Sequence, residues 1–232
     1  MLGLVTNRII NYINLYSPKG ILVKQSDLTD ENFVYAKCPV FNHKQDRVFV
    51  GLSPIDYSLR IDRVNGKNNR WLPKGLKAHI ICDNPELLTF DDEHTSSPQP
   101  VVQLKVPKFF FWTNDDDIWI EMNDHPMTSY SNNFITVGGW FNLSNWSRVS
   151  SFGITIVDET RPVIIKKGDP LFRISFYSNN LNDTFTLKEE TDDQKIVEIQ
   201  NTYNQKRKDS WKNKLFAKTG INKCPVGFLF KN

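Results

Sequence analysis

Apolar and polar residues alternate with a period of two along several short stretches of this chain. Phe152, Ile154 and Ile156 are separated by Gly153 and Thr155, and Phe172, Ile174 and Phe176 by Arg173 and Ser175. That period turns one face of an extended segment to a core and the other to water. The runs FVYAKCPVF (33–41), RVFVGL (47–52), YSLRI (57–61), KAHIIC (77–82), QLKVPKFFFW (103–112), IWIEM (118–122) and NFITVGGWFN (133–142) are each short and bounded by Pro, Asp, Asn or Gly. Their spacing predicts the strands of an antiparallel sandwich or barrel. Asn65-Gly66 reads as a two-residue hairpin turn, and the polar stretch 83–100 as a long surface loop.

Two segments depart from this pattern. Near the N-terminus, Ile9, Ile10, Ile13 and Tyr16 have helix-like spacing, stopped by Ser17-Pro18-Lys19-Gly20; residues 21–23 could add an edge strand. Towards the C-terminus, Thr191 and Gln194 stand in capping-box spacing, Ile196, Ile199 and Tyr203 share one helical face, and Gly220 is a candidate C-cap. The face drifts after Arg207, so the helix should kink or end near Asp209. The expectation is a mainly β fold: a single antiparallel β-sandwich, jelly-roll-like, over residues 1–190, with 1–32 poorly defined. Residues 191–232 form a basic α-helix and tail packed on the same domain.

Composition sharpens this picture. A chain of 232 residues can bury a proper core, and its 16 Phe place much of the apolar supply in rings, which favour strands. Cys38, Cys82 and Cys224 are odd in number and widely spaced, with no CxxC pair, which argues against a disulfide framework or zinc site and fits a reducing compartment. No secretion signal and no membrane-length apolar run is evident, so the expectation is a soluble protein that is not secreted. The net charge of +3 hides an asymmetry: residues 201–232 hold eight Lys/Arg against the single acid Asp209, a net of +7, which leaves −4 for the first 200 residues.

Four constellations could carry chemistry. Lys166-Lys167-Gly168-Asp169-Pro170 could present backbone N–H groups to an anion; its residue types are also those of a structural turn, and that reading is preferred. The acidic run Asp115-Asp116-Asp117, with Glu121, Asp124 and His125 behind it, offers divalent-cation ligands, Asp124 and His125 being the candidate pair. The rings Phe109, Phe110, Phe111, Trp112, Trp119, Trp140 and Trp146 could make a stacking platform for bases or sugars; core packing is the preferred reading, with an exposed ring or two at an interface as the lesser one. Lys206, Arg207, Lys208, Trp211 and Lys212 are the candidate contact for an acidic partner, nucleic acid or protein. No P-loop, dinucleotide fingerprint or nucleophile elbow occurs, so no cofactor site and no catalytic residue is assigned.

YAKCPVF (35–41), GLSPIDYSLRI (51–61), His125-Pro126, FITVGGWFNLSNW (134–146) and IIKKGDPLFRISF (164–176) together resemble a family of uncharacterised β-rich proteins of tailed phages, including myoviruses of marine cyanobacteria. IIKKGDPLFRISF is also similar to the final strands of the dUTPase and dCTP deaminase fold, although the uridine-pocket hairpin and Ser-containing phosphate motif of those enzymes have no counterpart here. The resemblance implies a viral gene product of mainly β structure and implies no activity; the expected location is the host cytoplasm or the virion, and oligomer formation is left open. Two readings follow: a non-enzymatic structural or binding protein, or an enzyme with a small-molecule or nucleotide pocket between the sheets, metal-assisted through Asp124 and His125.

Overall fold

The computed structural model describes residues 5–28, 38–39, 45–65, 76–83, 86, 88–89, 101–125, 132–143, 149–192, 194–199 and 201–202. The strands among them are β1 (Asn7–Asn14), β2 (Ile21–Lys24), β3 (Val48–Leu52), β4 (Tyr57–Asn65), β5 (Leu76–Cys82), β6 (Leu88–Thr89), β7 (Val101–Trp112), β8 (Trp119–Asp124), β9 (Phe134–Val137), β10 (Gly139–Asn142), β11 (Val149–Ile156), β12 (Val163–Ile165), β13 (Pro170–Tyr177) and β14 (Thr184–Glu189). One sheet runs β14-β1-β7-β11-β9 with β6 alongside β7, a second runs β10-β8-β13-β3-β2, and a third runs β12-β4-β5. The fold is mainly β, as the alternation predicts.

The main core lies between the first two sheets. Phe109, Phe111, Phe152 and Ile154 come from the six-stranded sheet, and Phe49, Ile120, Phe172, Ile174 and Phe176 from the five-stranded one. The Phe152 and Phe172 rings stack with centroids 3.5 Å apart and planes 8° from parallel, bridging the sheets. Phe109 meets both rings edge-on. Phe172 fits because its neighbour across the strand pair is Gly51: a β-carbon there would overlap the ring. The third sheet joins through Tyr57, whose buried hydroxyl donates to the Val106 carbonyl at 2.6 Å.

Three local expectations are corrected. The N-terminal segment is a strand, not a helix. β1 is buried on both faces, so Ile10 enters the main core while Ile13, an odd number of positions away, enters a second cluster with Phe110 and Trp112; two buried faces imitate helical spacing. β4 and β5 pair with Asn65 opposite Leu76, so Asn65 is a paired strand residue and no two-residue Asn65-Gly66 turn joins these strands. The run 133–142 divides at Gly138, with β9 in the six-stranded sheet and β10 in the five-stranded sheet. Among the described residues, β1 and β14 pair in parallel, which the antiparallel expectation did not anticipate.

The second cluster explains the four consecutive rings of β7. Phe109 and Phe111 face the main core, and Phe110 and Trp112 face outward, where Leu15, Ile196 and Ile199 cover them. Residues 194–199 and 201–202 are helical. The cap is Asp192 rather than Thr191: its Oδ1 accepts the N–H groups of Gln194 at 3.0 Å and Lys195 at 3.4 Å, and its carbonyl accepts that of Ile196. Tyr203, the rest of the expected helix and most of the run 33–41 lie outside the described residues. Substituting Gly51→Ala should force the Phe172 ring out of place and cost about 1–3 kcal/mol, read as a lower urea midpoint at unchanged m-value; wild-type stability would show that the ring does not depend on that gap.

Candidate functional site

The Lys-Gly-Asp-Pro corner is satisfied from within. Lys166 N–H donates to Asp169 Oδ2 at 2.8 Å, Lys167 N–H to Asp56 Oδ1 at 2.7 Å, Gly168 N–H to the Ser53 carbonyl at 2.8 Å and Asp169 N–H to the Lys166 carbonyl at 2.9 Å. Gly168 supplies the positive φ of 91° that the turn requires. The Lys167 N–H, followed by the charge of Lys166, holds the Asp56 carboxyl below its ordinary value. Each of these four donors already has a protein acceptor, so the corner turns the chain and ties β13 to the β3–β4 connection.

The acidic run is organised around an arginine. Arg8 Nε donates to Asp183 Oδ2 at 2.8 Å, and its terminal nitrogens lie 3.4 Å from Asp115 and 3.8 Å from Asp117. Asp183 is buried and also accepts from Ser178 Oγ at 2.8 Å and Asn180 Nδ2 at 2.7 Å. Burial alone would push its carboxyl up, but the donors and charge of Arg8, together with Ser178, outweigh that and hold it low. A guanidinium therefore sits among these carboxylates. Arg47, also buried, donates to the carbonyls of Leu181 and Asn180 and lies over the Phe185 ring; this group knits the β8 entry, β1 and the turn before β14.

Asp124 pairs in register with the core residue Phe172, and His125 follows it, 7% exposed. Burial, and then the charge of Arg173, pushes the imidazole below its ordinary value, with Asp124 pulling the other way. Among the described residues no group of three or more His, Cys, Asp or Glu side chains converges as a metal site. Lys206, Arg207, Lys208, Trp211 and Lys212 lie outside the described residues, as do His43 and His94.

What the structure does assemble is a surface. Register fixes three cross-strand rows on the outward face of the five-stranded sheet: Val48, Ser175, Glu121 and Trp140; Tyr177, Trp119 and Asn142; and Val50, Arg173 and Asn123. The intervening rows, including Phe49, Ile174 and Met122, point into the core. Towards β3 this outward face is covered, with Val48 and Val50 buried although neither belongs to the main core. Towards β10 it is open: Trp119 is 36% and Trp140 66% exposed. Their rings lie 4.8 Å apart at 35°. Tyr177 Oη donates to Glu121 Oε2 at 2.7 Å, and burial, reinforced by that carboxylate, pushes the phenol up, keeping it a neutral donor. Of these groups the sequence singled out Trp119, Trp140 and Glu121. Tyr177 was missed, although its place in the alternation of β13, four residues beyond Arg173, marks it as outward.

No family model matches the chain, and no curated protein matches it. Among solved structures it has a weak similarity to a mutant dUTPase from phage phi11 of S. aureus, at a TM-score of 0.31 and 8% identity over 75% of this chain and 96% of that one. A Staphylococcus bacteriophage 80alpha dUTPase mutant with dUpNHpp gives a TM-score of 0.26 and 7% identity over 58% of this chain and 88% of that one. At these scores neither likeness supports an argument about activity.

Stability should fall with pH in two steps. His125 has a folded pKa below 6.5, so as pH drops below 6.5 the unfolded chain takes the proton first. Asp183 has a folded pKa below its unfolded value, so its contribution, complete above about pH 4, is lost as pH falls through the folded pKa. In melting curves against pH, His125→Gln should flatten the upper step. Asp183→Asn should remove the lower one and, by taking away the buried carboxylate to which Arg8 donates, cost about 1.5–3 kcal/mol at neutral pH. An unchanged profile in either variant would contradict the role given to that residue.

Proposed function

We propose that this chain is a phage-encoded binding or structural protein that holds its partner on the open, β8–β10 half of the outward face of the five-stranded sheet. The observation that carries this reading is the Trp119–Trp140 pair: two large rings packed against each other, 4.8 Å apart and tilted by 35°, yet exposed to water. Full burial of a Trp by a partner removes a large apolar area from water, and Trp is enriched among residues that dominate interface energetics. Phage origin is supported by the resemblance of the motifs between residues 35 and 176. The basic cluster from Lys206 to Lys212 would supply a second contact, for an acidic partner, and among the described residues β10 is an edge strand, which suits association of copies.

Mass spectrometry of purified virions and infected-cell lysate would locate the chain and identify what cross-links to it. A partner cross-linked to wild type should be lost, by about 30-fold or more in affinity, with Trp140→Ala at unchanged melting temperature. Retention of the partner by Trp140→Ala would remove this face from the interaction, and substrate turnover that survives the substitution would favour an enzyme instead.

A further inference from the structure

We propose that the open face binds a proline-rich segment of a partner protein in the polyproline II conformation, laid across Tyr177, Trp119 and Trp140. This deepens the binding reading above and rests on it. The register sets one aromatic residue on each of three adjacent strands, all on the same face: Tyr177 on β13, Trp119 directly across from it on β8, and Trp140 on β10, diagonal to Trp119. Neighbouring strands stand about 4.8 Å apart, so the three rows span about 10 Å. One polyproline II turn of three residues advances about 9 Å. Prolines three positions apart therefore recur at the spacing from β13 to β10, and their rings can lie against the aromatic side chains, as they do wherever aromatic-lined surfaces receive such segments.

The hydrogen-bonding groups of the face select the same occupant. Among the described residues neither the Trp119 nor the Trp140 indole N–H donates to a protein acceptor, although both side chains are exposed. The polar groups beside them are engaged. Glu121 accepts from the Tyr177 hydroxyl at 2.7 Å and has a further partner, and Asn142 Nδ2 donates to the Asp116 carbonyl at 3.3 Å. What the face holds out is ring surface and N–H donors. A polyproline II segment has no internal hydrogen bonds and proline has no N–H, so the segment brings apolar rings and carbonyl acceptors with few donors to satisfy. An added β-strand or a sugar ring would bring N–H or O–H donors to a face whose carboxylate is already engaged, and a donor covered without an acceptor is costly. The segment is also extended before it binds, so little conformational freedom is lost in ordering it.

The full chain is titrated into a dye-labelled oligoproline of about nine residues, three polyproline II turns, with a glycine-serine peptide of equal length as control, and anisotropy is followed. The oligoproline should give a saturable rise whose midpoint changes little with salt, because the contact does not rely on charge. Trp140→Ala should weaken binding about tenfold. Trp140→Phe, which keeps a ring and loses the N–H, should fall between that variant and wild type, and both should melt as wild type. No saturable response, an equal response to the glycine-serine peptide, a response to a neutral oligosaccharide or an oligonucleotide in its place, or wild-type affinity in either Trp140 variant would overturn the assignment. A cross-linked partner lost with Trp140→Ala but not displaced by oligoproline would overturn the proline-rich ligand while leaving the face as the interaction surface. A partner indifferent to Trp140→Ala would overturn both.

Discussion

The contact on which the two main sheets depend is a stack of rings. Phe152 on β11 and Phe172 on β13 meet face to face at 3.5 Å, and Phe109 closes on them from β7. Flat rings pack at this distance only when the backbones behind them leave room, and Gly51 on β3 provides it. Phe111, Phe176, Phe185 and Phe49 extend the contact along the interface in edge-on and stacked pairs. A core built of rings is stiff and intolerant of volume change. It therefore holds the outer rows of the five-stranded sheet in fixed register, and on that register the surface of Trp119, Glu121, Trp140 and Tyr177 depends.

A polar group does for the chain ends what the rings do for the middle. β1 and β14 are far apart in sequence and pair in parallel. Arg8 at one strand and Asp183 before the other join there, with Asp115 and Asp117 completing the charge balance. Such a partly buried pair contributes little net stability relative to an apolar replacement, but removing its buried carboxylate is costly. Its role here is to hold one register. That choice also answers the question posed by an acidic run in the sequence, because the positive charge those carboxylates attract is already part of the protein.

The outward face of the five-stranded sheet divides in two for a physical reason. Val48 and Val50 are apolar and covered, while the β8–β10 half carries Glu121, Asn142 and two half-dry indoles. Indoles have an apolar body and a single donor, so they tolerate water while retaining a drive to be covered. The corner from Lys166 to Pro170, by contrast, carries turn-forming residues and two lysines but has no N–H to spare between 166 and 169. Between these two candidates, bonding rather than residue type separates a surface able to receive a ligand from a turn that is complete in itself.

The sequence by itself determined the β class, most strand positions and the inward sense of Phe152, Ile154 and Ile156 in β11 and of Phe172, Ile174 and Phe176 in β13, because alternation is a local property of an extended chain. It also placed rings in the core and marked Trp119 and Trp140 as chemically notable. It misread β1 as helix-like, since a strand buried on both faces has no alternation to show, and it could not separate Phe109 and Phe111 from Phe110 and Trp112 as two cores until the helical residues near Ile196 were seen to cover the second. Tertiary structure alone decided that Arg8 fills the acidic cluster, that Asp56 and Ser53 consume the corner's donors, and that Tyr177 and Trp140 meet around Glu121. Each of these joins residues from separate strands, and strand order, unlike alternation, is set by which distant rows pack together rather than by any single stretch of sequence.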